Sequence, residues 1–99
     1  MSNQSYITLY EDEVRSVSLA IRDQDDVVWT PTLAYFQVVD EDGDTVSAEV
    51  SGAISTNVVT AEITTTVTAT PGTYFIIWRV LDSTGHTFYH KTRLVVEEL

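Results

Sequence analysis

Large apolar residues recur at every second position along most of this chain, a spacing that suits a pleated strand and very little else. In Val17-Ser18-Leu19-Ala20-Ile21 they fall on alternate positions, and no window carries a sustained apolar stripe at helical spacing. Threonine and valine supply 29 of the 99 residues. Both are β-branched, which restricts χ1 in a helix and suits a sheet surface. Six further segments read as strands: Tyr6 to Tyr10, Leu33 to Val39, Thr45 to Val50, Val58 to Thr64, Tyr74 to Leu81 and Thr87 to Val96. Between them lie turn signals at Asp23-Gln24-Asp25-Asp26, Asp40-Glu41-Asp42-Gly43-Asp44, Ser51-Gly52, Pro71-Gly72 and Asp82-Ser83-Thr84-Gly85. About seven short strands with regular turns predict an all-β antiparallel sandwich filling residues 1–99 as one domain, with residues 1–5 as a flexible N-terminal arm.

Fifteen acids against five bases give a net charge of −10. That balance disfavours nucleic acid and anionic membrane surfaces, because both are bound chiefly through Lys and Arg. Twelve of the acids sit in Glu11 to Glu13, Asp23 to Asp26, Asp40 to Asp44 and the Glu97-Glu98 tail, and residues 71–99 carry three acids and three bases. The chain has no cysteine, so it can form neither disulfides nor thiolate metal sites. Its start has no basic or strongly apolar run, which predicts a leaderless product made in the cytoplasm.

The run from Ile63 to Ile76 resembles the end of strand E and the start of strand F in an immunoglobulin-like domain. Gly72 and Tyr74 match that pattern, Thr70 stands where the family has an acid, and Ile76 where it has a cysteine. The resemblance implies a Greek-key sandwich in which the Tyr74 hydroxyl bonds back across a corner and Ile76 fills the core near Leu19. It also implies that Trp78 continues the inward row, with Trp29 a loose candidate for the tryptophan of the third strand.

The second half is similar to small immunoglobulin-like proteins on tailed bacteriophage particles, through Asp40-Glu41-Asp42-Gly43, Gly72 to Trp78, Asp82-Ser83-Thr84-Gly85 and Leu94-Val95-Val96. That likeness implies a non-enzymatic virion protein: a capsid decoration or cement subunit, made in the host cytoplasm and oligomeric on the particle. Its partners would be the major capsid protein or other virion proteins. A tail, neck or baseplate component is the neighbouring reading, and a bacterial surface or carbohydrate-binding module the alternative from another class.

No catalytic constellation stands out and no cofactor is expected. The Asp40 to Asp44 cluster can be a plain hairpin turn or a loop that binds a cation. His86 and His90 are four apart; on a strand that separates them by roughly 13 Å, too far to share a metal. No metal site is therefore assigned. The strongest interaction signal is apolar character on both faces of the strand around Phe75 and Ile77. With Phe36 and Tyr89 these residues form an expected docking surface, which Arg79, Lys91 and Arg93 would supply with charge.

Overall fold

The structure is a computed structural model that describes residues 6–21 and 31–99. The expected arm at residues 1–5, Asp23 to Asp26 and Trp29 lie outside the described residues. Eight strands are described, one more than the expected seven: β1 (Tyr6–Tyr10), β2 (Arg15–Ala20), β3 (Leu33–Asp40), β4 (Thr45–Ser51), β5 (Ala53–Ser55), β6 (Val58–Ile63), β7 (Gly72–Leu81) and β8 (Thr87–Glu97). A single helical turn, α1 (Thr65–Thr68), links β6 to the corner before β7.

The strands form two sheets, of order β1-β8-β7-β3-β4 and β2-β6-β5. The sandwich read from alternation is therefore present. β7 pairs antiparallel with β3 over Leu33 to Asp40 and with β8 over Thr87 to Val96, so it is the spine of the larger sheet. β1 closes one edge by running parallel to β8, with Tyr6 opposite Arg93 and Tyr10 opposite Glu97.

The core lies between the sheets. From β7 it takes Tyr74, Ile76, Trp78 and Val80, and from the smaller sheet Val17, Val59, Ala61 and Ile63. Trp78, Ile76 and Leu94 are fully buried, each contributing about 2–3 kcal/mol by leaving water. The indole does not strand its polar edge: Trp78 Nε1 donates to Thr92 Oγ1 at 2.9 Å. The tyrosine corner forms as the sequence implied, Tyr74 Oη donating to the Thr70 carbonyl at 2.6 Å. Burial, with a smaller push from the Asp40 charge, raises the Tyr74 hydroxyl pKa above its usual value.

Phe36 corrects an expectation. On β3 the buried residues are Ala34, Phe36 and Val38, so Phe36 faces the core at 5% exposure, its ring centre 6.3 Å from that of Trp78. Alternation on β3 runs one way throughout. Leu33, Tyr35, Gln37 and Val39 face outward, and Phe36 belongs to the packing, not to a docking surface.

Candidate metal centre

The β7–β8 connection is five residues long and is built on one carboxylate. Asp82 Oδ1 accepts from the backbone N–H groups of Thr84 (2.9 Å) and His86 (3.0 Å), and from the Thr84 hydroxyl (2.7 Å). The backbone closes the loop through His86 O, which accepts from Asp82 N at 3.1 Å, and Asp82 O, which accepts from Gly85 N at 3.2 Å. Gly85 takes φ +89°, a left-handed value that glycine adopts without steric cost. The sequence folds this way locally because aspartate at the first position and glycine at the fourth each satisfy what the turn demands.

Three donors on one carboxylate have an electrostatic result. Led by the Thr84 hydroxyl, they lower the Asp82 pKa to about 2, so the group is ionised at any physiological pH. Its second oxygen, Oδ2, lies 3.3 Å from His86 Nδ1. The same ring nitrogen is 2.9 Å from Thr84 Oγ1. The one Thr84 hydroxyl hydrogen goes to Asp82 Oδ1, so Thr84 Oγ1 must accept from the ring, and Oδ2 can only accept. Both contacts assign the neutral imidazole as the Nδ1–H tautomer, with the Nε2 lone pair free. The His86 side chain is 82% exposed, so that lone pair faces solvent, whereas the Asp82 side chain is only 14% exposed.

An imidazole whose other nitrogen is tied to a carboxylate is the usual arrangement of a metal-binding histidine. His90 has no part in it. It lies opposite Trp78 within β8, four residues beyond His86, and the partners of His86 are Asp82 and Thr84. Strand spacing sets the two histidines apart and is silent about the aspartate that faces His86 across the turn. The signal was the run Asp82-Ser83-Thr84-Gly85-His86, in which the turn geometry aims positions one and five at one another.

Among the described residues, one group of three potential ligands converges: Asp40, Asp42 and Asp44, with carboxylate oxygens within 4.8 Å of one another. Asp40 Oδ1 is already engaged by the N–H groups of Asp42 and Asp44, as a plain turn requires, and Asp42 and Asp44 are exposed. A cleft of about 470 Å³ beside β4, β5 and β6 is lined by Ser16, Phe36, Thr60 and Glu62, with no histidine.

The remaining expected site residues lie together on the outward face of the larger sheet. Phe75, Ile77 and Arg79 come from β7, and Tyr89, Lys91 and Arg93 from β8.

Residues 11–97 match the CopC domain. The chain belongs to the CopC domain family. Its fold is similar to that of CopC from Methylosinus trichosporium OB3b, with a TM-score of 0.64 and 18% sequence identity over 94% of this chain and 84% of that one. No curated protein sequence matches it.

Membership of the CopC family overturns the bacteriophage resemblance. The patterns that carried it, two Asp- and Gly-bearing hairpins, the Gly72 to Trp78 strand and the valine-rich closing strand, are properties of the sandwich and its turns, and they recur wherever such elements occur. The capsid decoration reading falls with it. So do the tail or baseplate and adhesion or carbohydrate-binding alternatives, the capsid partners and the virion location.

Proposed function

We propose that this CopC-family chain binds Cu(II) at the β7–β8 hairpin, with His86 as the nitrogen donor and Asp82 as the ionised carboxylate beside it. The observation that carries the reading is the pairing of a solvent-facing imidazole with a carboxylate held charged at 3.3 Å. CopC proteins are associated with copper resistance, which supplies the metal.

The donors fit the oxidised ion. Cu(II) favours nitrogen and oxygen ligands in tetragonal geometry, whereas Cu(I) favours thiolate and thioether sulfur. The sequence has no cysteine and one methionine, Met1, and the hairpin offers imidazole and carboxylate. The Asp40, Asp42 and Asp44 cluster offers oxygen alone and suits a harder cation.

When bound, copper would supply a redox-active, strongly polarising cation. The chain's own work is to keep His86 in one tautomer, to hold a negative charge behind the ring and to leave the other ligand positions accessible. Asp82 is engaged on the Nδ1 side of the ring, and among the described residues no further His, Asp or Glu converges with the pair, so water or a donor from elsewhere would complete the shell around His86 Nε2. Such a site suits uptake and transfer better than permanent storage. A periplasmic location belongs to the same proposal, and cell fractionation would check it.

Cu(II) titration followed by electron paramagnetic resonance tests the assignment. One equivalent should give a tetragonal signal with nitrogen splitting. His86→Ala should remove that signal and weaken binding about 100-fold, while His90→Ala should leave both unchanged. Retention of the wild-type signal in His86→Ala would sink the proposal.

A further inference from the structure

The outward face of the β1-β8-β7-β3-β4 sheet carries a charge opposite to that of the chain as a whole. Of only five basic residues, three stand on this face: Arg79 on β7, and Lys91 and Arg93 on β8. Each lies over an aromatic ring of the same face. The Arg79 guanidinium is 4.4 Å from the centre of Tyr35, Lys91 Nζ is 4.3 Å from that of Phe75, and the Arg93 guanidinium is 5.5 Å from that of Tyr6. Arg79 also holds Glu49 through two hydrogen bonds of 2.9 and 3.1 Å. Lys91 and Arg93 have no carboxylate partner among the described residues. Around them Tyr6 and Tyr89 are 55% and 64% exposed.

A cation laid flat on a ring has already given up part of its hydration and its rotamer freedom. An incoming carboxylate therefore meets a charge that costs less to order and desolvate. The rings beneath supply apolar contact area of the kind that anchors protein interfaces. Lys91 and Arg93 are two residues apart on one strand, which spaces them by roughly 7 Å. An extended chain with acids at alternate positions repeats at the same interval.

Other occupants fit less well. A two-fold dimer through this face would set Lys91 and Arg93 against their own copies. A broad polyanion, a nucleic acid or an anionic bilayer, would also reach the acidic turns Glu11 to Glu13 and Asp40 to Asp44. Those turns border the end of the sheet where Tyr10, Gly72, Asp40 and Glu97 meet. At physiological salt the charges that matter lie within about 8 Å, so a small acidic segment feels the face and not the whole −10 molecule.

We propose that this face binds an acidic, extended segment of a partner protein, its alternate carboxylates engaging Lys91 and Arg93 over the Phe75 and Tyr6 rings. The proposal is independent of copper binding.

The test is titration of the isotopically labelled protein with a synthetic peptide of alternating Glu and Ser, followed by amide chemical shifts at low salt. Shifts are expected on β1, β7 and β8, around Tyr6, Phe75, Lys91 and Arg93, and should fade as salt is raised. The double variant Lys91→Glu/Arg93→Glu should weaken binding at least about tenfold. Unchanged signals from Trp78 and Tyr74 would show that the variant is folded. A matched peptide of alternating Lys and Ser should not bind. No shifts on this face, or equal binding by the double variant, overturns the proposal. Tighter binding to phosphatidylglycerol vesicles than to the peptide overturns it in favour of a lipid surface. A dimer in sedimentation equilibrium that the double variant dissolves overturns it in favour of a second copy.

Discussion

In the β3–β4 hairpin, Asp40 Oδ1 accepts from the backbone N–H groups of Asp42 and Asp44 at 2.9 and 3.0 Å. In the β7–β8 hairpin, Asp82 Oδ1 accepts from those of Thr84 and His86 at the same two distances. The first closes through Asp40 N to Asp44 O and Gly43 N to Asp40 O, the second through Asp82 N to His86 O and Gly85 N to Asp82 O. The glycines take φ of +86° and +89°. The backbone has solved one problem twice. The difference that bears on the first aspartate stands at the third and fifth positions, whose N–H groups it holds: two more carboxylates in one turn, a hydroxyl and an imidazole in the other. The turn is encoded by Asp and Gly, and its donor set by the two residues whose N–H groups the Asp holds.

Exchanging those residues is the strongest way to break the comparison. Thr84→Asp/His86→Asp should keep the hairpin and cost about 100-fold in Cu(II) affinity, with loss of nitrogen splitting. Asp42→Thr/Asp44→His should give the other hairpin a nitrogen-containing copper signal of its own. If the second exchange yields no such signal, the surroundings of the hairpin contribute more than its geometry does.

Thr84→Val comes next. It removes the hydroxyl that links Asp82 to the ring, so the Nδ1–H tautomer should lose its dominance and Cu(II) affinity should fall about tenfold. Nitrogen chemical shifts of His86 in the metal-free protein report the tautomer directly. Thr84→Ser should restore both.

Gly43→Ala and Gly85→Ala should each cost about 1 kcal/mol in urea unfolding, because a Cβ at either site meets nothing within 4 Å and the penalty is the left-handed backbone alone. Equal costs support a shared geometry, and a difference well beyond experimental error would show that one turn is held from outside.

The smallest effect is acid loosening of the β7–β8 turn. The Asp82 pKa is depressed, so the stability its ionised form provides is present above the ordinary aspartate range and is lost as pH falls through about 2. Amide exchange protection at Thr84 and His86 should therefore persist to below about pH 3 and then collapse.

Strands were legible wherever one face is buried, because alternation records the two sides of a sheet. The β3 row Ala34, Phe36 and Val38 shows the limit of that signal. Tyr35 and Val39 are also apolar, so hydropathy alone could not say which row faces inward. β5 escaped notice at three residues, too few for periodicity to register. α1 has a β-branched sequence and no side-chain cap; tertiary partners hold it, Val67 being buried and Thr68 Oγ1 donating to Glu13 O at 2.7 Å. The Asp82–His86 pair was hidden for another reason. Its Asp and Gly read as a turn and nothing more, and only the folded loop shows that the fifth residue is aimed back at the first.

Ile76 fills the core where immunoglobulin domains place a cysteine, and no pair of thiols exists to cross-link the sheets. Under the proposed copper binding, a reductant added to cycle the ion would cut no bond on which the fold depends. Under the same proposal, the oxidised ion would find no thiol in this sequence to consume. Hydrocarbon packing in place of a disulfide leaves this fold without thiol redox chemistry, so its stability should be the same in oxidising and reducing buffers.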